Sequence, residues 1–233
     1  MCAARSSRCP LSTAAAGTLL RMQMNGVSAV LFDFGLVLSG PPRPSSWNAM
    51  RELLQAEDAA FHDAYWKYRD DYDKGTLNGT EYWQHIAADL GAAVDEAQIK
   101  SLKEHDVELW TDMNEPMVDW VHRLQKSGLR TGVLSNIGDA MAEGICAKFI
   151  WIGWFTHCVW SHALKMRKPE PEIYAEAARG LGVPAGEILF VDDRAENIEA
   201  AEKAGMRGML YAKHFPTFEE DMKRAGYGEL LGV

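Results

Sequence analysis

The chain has 233 residues, 47% of them hydrophobic, with 24 Lys and Arg against 33 Asp and Glu, a formal net charge of −9. That length allows one domain with an insertion, or two modest domains, around a real core, and an acidic balance without a long basic run argues against nucleic acid as a partner. No apolar run approaches the ~20 residues that span a bilayer, and four cysteines (Cys2, Cys9, Cys146, Cys158) without a CxxC pair speak against structural zinc and for thiols in a reducing, cytoplasmic setting.

In chain order, the first 24 residues carry three arginines and no acid, with no helical or strand period. Their apolar centre is broken by Ser12, Thr13, Gly17 and Thr18, so residues 1–25 are expected to be a disordered tail or the product of a misassigned start. The stretch GVSAVLFDFGLVLSG, residues 26–40, reads as a buried strand that ends abruptly in Asp33. Parallel strands covered on both faces are continuous apolar runs, and ligands of open α/β sheets bind just past the strands' carboxyl ends. Asp33 therefore stands where chemistry sits, unless it only opens an Asp-x-Gly turn.

PPRPSS then reads as a linker. Residues 41–111 carry helical signals only, with helices predicted at Trp47–Gln55, Asp58–Asp73, Gly79–Leu90 and Asp95–Trp110, and Asn78 with Glu81 marking the start of the third. This is an inserted helical domain, and its aromatic residues are each best read as packing. From residue 112 helix and strand alternate to the end, so 26–40 and 112–233 together form an α/β, Rossmann-like parallel sheet with helices on both faces. The predicted strands are LRTGVLSN, THCVWS, EILFVDD and RGMLYA; the helices are Glu115–Ser127, Asp139–Phe149, Pro171–Leu181, Ala195–Ala204 and Thr217–Ala225. Lys168 precedes Pro169, where a helix could begin.

Three strands end in polar groups: Asp33, Ser135 with Asn136, and Asp192 with Asp193. Three carboxylates crowded at one sheet edge repel one another unless a cation holds them, and a hard divalent ion, most simply Mg2+, suits oxygen ligands. Ser135, the Asn136 amide and Lys168 would supply donors and positive charge for phosphoryl oxygens. Singly, each has a structural reading: a Ser-Asn turn, a solvated lysine, an Asp pair capping a helix.

LFDFGLVLSG, VLSN, KMRKPEPEIY and FVDDRAENI resemble, in order, the four motifs of the haloacid dehalogenase superfamily, and the helical block resembles its mobile cap. The resemblance covers roughly residues 26–212 and is similar to the branch of sugar-1-phosphate phosphatases and epoxide hydrolase N-terminal phosphatase domains. It implies that Asp33 is nucleophile and Mg2+ ligand, that Ser135 and Asn136 grip the phosphoryl group, and that Lys168 neutralises charge. It further implies metal ligation by the Gly35 backbone carbonyl and Asp193, with Asp192 assisting directly or through water. One position departs: phosphatases of this pattern carry Asp two residues after the nucleophile, and this chain has Gly35. The missing general acid and base costs ~10²–10⁴ in rate, least for leaving groups that need little protonation. The expected function is a Mg2+-dependent phosphatase of a small phosphomonoester, sugar phosphates among the candidates, acting through an aspartyl-phosphate. The alternatives are a 2-haloacid dehalogenase and a degenerate phosphate-binding regulatory domain. The expected partner is a small phosphorylated molecule, with neither nucleic acid nor membrane.

Overall fold

The computed structural model describes residues 24–233. The expectation for the tail lies outside the described residues, save that Met24 bridges to Val27 and Asn25 contacts Arg207 and Gly226. The chain enters β1 (Ala29–Phe32), turns tightly over Phe34–Leu38, and then runs through α1 (Pro44–Leu53), α2 (Asp58–Lys67), α3 (Arg69–Asp73), α4 (Gly79–Asp89) and α5 (Glu96–Leu109). After α6 (Glu115–Lys126) come β2 (Arg130–Ser135), α7 (Asp139–Lys148), β3 (His157–Trp160), the short α8 (Ser161–Leu164) and α9 (Pro171–Leu181). β4 (Ile188–Asp192), α10 (Ala195–Lys203), β5 (Arg207–Leu210) and α11 (Phe215–Arg224) complete the order. No helix among the described residues is long and apolar enough to cross a membrane.

The five strands are parallel in the order β3-β2-β1-β4-β5, with β1 at the centre. Side chains alternate across a strand, so β1 feeds both faces. Val30 and Phe32 pack with Trp120 and Val121 of α6 and Phe218 of α11, whereas Ala29 and Leu31 pack with Ile173 and Tyr174 of α9 and Ala201 of α10. Phe32 meets Trp120 edge to face at 5.4 Å between ring centroids. Burial of each such large side chain is worth roughly 1.5–3 kcal/mol, and this packing fixes the strand that ends at Asp33.

Several predicted boundaries shift for local reasons. α1 starts at Pro44, inside the stretch read as linker, because proline fits the first helical turn, where its missing N–H has no partner to lose. The helix predicted over Asp58–Asp73 is two helices, broken at Tyr68, whose φ of −107° and ψ of 3° leave the helical region. Pro169 does not begin a helix; α9 starts at Pro171. The capping box of Asn78 and Glu81 is formed on α4, and Asp95 with Gln98 forms a second on α5. Phe61, Tyr65, Tyr72, Tyr82 and Trp83 are buried among the helices between Pro44 and Leu109.

Candidate active site

Phe32 pairs with Val191, so the next residues of the two strands, Asp33 and Asp192, come level at the carboxyl edge of the sheet. The chain leaves β1 for β2 and β3 on one side and returns on the other through β4 and β5. The edge between β1 and β4 is therefore the topological switch point where ligands of such sheets bind. Ser135 ends β2 on the other side of β1, buried, with Asn136 following.

Lys168 joins these strand ends. Its side chain is buried, and its Nζ lies 2.8 Å from Asp33 Oδ1 and 2.7 Å from Asp192 Oδ2. Asp33 Oδ1 also accepts from the Phe34 N–H at 2.7 Å. Burial pushes the Asp33 carboxyl up to about 7; Lys168 opposes the rise, and Asp192 and Asp193 add to it. For Lys168, desolvation works downward but the two carboxylates outweigh it and hold the ammonium above its usual range.

Asp192 and Asp193 are adjacent in sequence but differently engaged. Asp192 is fully buried and saturated: besides Lys168, it accepts from the Arg194 N–H at 2.8 Å and from Asn197 Nδ2 at 3.0 and 3.1 Å. Asp193 meets Lys213 at 3.1 Å. One carboxylate oxygen from each of Asp33, Asp192 and Asp193 lies within 4.8 Å of the other two. This all-oxygen set of clustered carboxylates has the donor chemistry that a hard divalent ion such as Mg2+ takes.

Contacts that sequence reasoning did not anticipate also enter. The Asn136 side chain accepts from the Lys168 N–H at 2.8 Å and donates to the Lys168 carbonyl at 2.9 Å, so it clamps the Lys168 loop onto the end of β2. The peptide bond from Lys168 to Pro169 is cis. Asn197 orients Asp192 from the first turn of α10, and its spacing of five residues from that carboxylate is the one sequence signal that could have found it. Gly35 has φ −65° and ψ 128°, and a Cβ there would meet nothing within 4 Å. Its missing side chain leaves open space two residues from Asp33.

Together these features define an α/β protein with an acid–lysine cluster at the switch point of its sheet. The chain belongs to the haloacid dehalogenase-like hydrolases, whose family model matches residues 16–205. It is 40% identical over 214 residues to a sesquiterpene phosphatase of Aspergillus oryzae, with 82% of this chain and 93% of that protein covered. It is 26% identical over 188 residues to a drimenol cyclase of Aspergillus calidoustus, covering 80% of this chain but only 34% of the cyclase, so it spans about a third of that relative. Among solved structures, a haloacid dehalogenase family enzyme of Bacteroides thetaiotaomicron in complex with magnesium and inorganic phosphate is similar, with a TM-score of 0.65 and 22% identity over 79% of this chain and 93% of that one. An L-2-haloacid dehalogenase of Xanthobacter autotrophicus gives 0.63 and 19%, with 80% of this chain and 78% of that one covered. Both structural likenesses speak for the fold.

Proposed function

We propose that this hydrolase is a Mg2+-dependent phosphatase of small phosphomonoesters, with Asp33 as nucleophile and the helices between Pro44 and Leu109 as its cap. The observation that carries the reading is the Lys168 ammonium held between Asp33 and Asp192, with Asp193 beside them. A bound Mg2+ would supply charge neutralisation for the carboxylates and phosphoryl oxygens. Asp33 and Asp193 would hold it directly, with the Gly35 carbonyl, while Asp192, whose oxygens already accept from Lys168, Arg194 and Asn197, would position Lys168 and assist the ion through water.

Asp33 Oδ1 is held by two donors, which orients the carboxylate and leaves the other oxygen to attack phosphorus. The new Asp33–phosphorus bond displaces the alcohol, whose oxygen takes its proton from solvent because residue 35 offers none. Water then attacks the aspartyl-phosphate, releases inorganic phosphate and regenerates Asp33, so one difficult displacement becomes two easier ones. Lys168, Ser135 and the Asn136 N–H compensate charge on the transferred oxygens.

On substrate, the sesquiterpene phosphatase relative, similar over almost its whole length, favours a terpenyl phosphate over the sugar phosphates counted among the candidates from sequence. At Gly35 no side chain narrows the space beside Asp33, and a Cβ there would meet nothing within 4 Å.

The dehalogenase alternative needs no metal, and the clustered Asp192 and Asp193 argue against it. The test measures phosphate release from farnesyl monophosphate, a sugar phosphate and an aryl phosphate, with Mg2+ and with EDTA, alongside halide release from 2-haloacids. Phosphate release that vanishes with EDTA and returns with Mg2+ is expected. Metal-independent halide release would overturn the reading.

A further inference from the structure

The loop carrying Lys168 is tied on two sides. Inward, Asn136 clamps its backbone. Outward, the residues flanking Lys168 reach the cap: Arg167 pairs with Asp70, and Glu170 pairs with Lys74 at 2.6 Å. The same cap segment receives Ser161 Oγ at the Asp73 carbonyl and Lys165 Nζ at the Gly75 carbonyl. At Gly75, φ is +74° and a Cβ would collide with the His162 carbonyl, so the two backbones touch with no side chain between them. Just beyond Asn136, the Tyr72 ring occupies the space that a side chain at Gly138 would need.

The charges are crossed. Asp70 and Lys74 stand one helical turn apart, acid then base, and meet base then acid at Arg167 and Glu170. A slip of one turn would bring Asp70 toward Glu170 or Lys74 toward Arg167, so the pairs specify a register rather than supply bulk stability. We infer that Asp70 and Lys74 are positioning residues of the cap, whose ion pairs hold the loop that carries Lys168 and thereby place its ammonium between Asp33 and Asp192. The inference rests on the reading of Lys168 as the charge-compensating group. Its consequence is that docking of the cap and charge compensation at phosphorus are one event: a cap displaced at Asp70–Gly75 also withdraws support from Lys168.

The experiment uses the full chain with Lys74→Glu, Glu170→Lys, the double exchange of both, and Gly75→Ala. It reads amide hydrogen exchange of peptides spanning 161–171, with β1 and β4 as fold controls, the affinity for inorganic phosphate in Mg2+, and kcat and KM on an aryl phosphate. Each single reversal is expected to speed exchange in that loop, weaken phosphate binding and lower kcat about three- to fivefold, the scale that partly exposed pairs carry, with KM moved less than kcat. The double exchange is expected to restore all three, and Gly75→Ala to resemble the single reversals. Unchanged loop exchange, or a loosened loop with wild-type phosphate affinity and turnover, would overturn the inference, as would a double exchange no better than the singles. If the wild-type protein hydrolyses no phosphomonoester while phosphate affinity follows the charge pattern, the positioning role stands and the phosphatase reading falls.

Discussion

Gly35 is where the sequence departs from the phosphatase motif it resembles, and its surroundings decide what restoring the side chain would do. Its φ of −65° is ordinary for any residue, and nothing lies within 4 Å of a Cβ, so Gly35→Asp introduces no backbone strain and its Cβ meets no clash. In the proposed mechanism the new carboxyl would stand on the leaving-group side of Asp33, where general acid catalysis commonly contributes ~10²–10⁴. The gain is expected to be larger for an alkyl phosphate, whose alkoxide must be protonated, than for an aryl phosphate of similar size. Measuring kcat/KM for the matched pair in both proteins checks this; an equal change for both substrates would remove position 35 from the leaving-group side. At this scale the acids were legible because each follows an apolar strand. The Asn136 clamp and the Lys213 contact were not, because they depend on how segments 20 or more residues apart meet in three dimensions.

Among the elements, the break at Tyr68 shows what helical periodicity leaves out. Residues 58–73 read as one helix; the chain instead restarts at Arg69, and its guanidinium enters a buried cluster. Arg69 meets Asp73 at 2.9 Å and Tyr65 Oη at 2.5 Å, and Tyr65 donates to Asp106 at 2.7 Å. A polar residue at such a place looks like helix surface in sequence, since only tertiary packing turns it inward. Without Arg69, two carboxylates would be buried with no countercharge, so Arg69→Met is expected to cost ~3–5 kcal/mol in urea unfolding. The loss should also depend on pH. Burial already raises Asp73 to about 6, and Arg69 is the group that opposes the rise. A carboxyl raised in the folded state favours folding below its unfolded value and loses that contribution as pH rises through the folded one. Arg69→Met is therefore expected to be less destabilising at pH 5 than at pH 8; an equal loss at both would mean the cluster is held by packing alone.

For the molecule as a whole, strand order does what the linear motifs cannot. Alternating helices and strands announced a parallel sheet, and the four motifs announced the family, but the order β3-β2-β1-β4-β5 depends on pairings no single segment encodes. That order sets Asp33 level with Asp192 and brings the Lys168 loop, a crossover away, between them. The resulting cluster gathers three acids, two of which share one buried lysine, an arrangement that makes sense at neutral pH with a cation present. The central claim is that phosphate leaves its ester by way of Asp33. Its most direct test is steady-state phosphate release from an aryl phosphate in Mg2+ by wild type and Asp33→Asn, each with native circular dichroism. The account predicts turnover by the wild type and none above the buffer background for Asp33→Asn; near-wild-type turnover by a folded Asp33→Asn protein would contradict it.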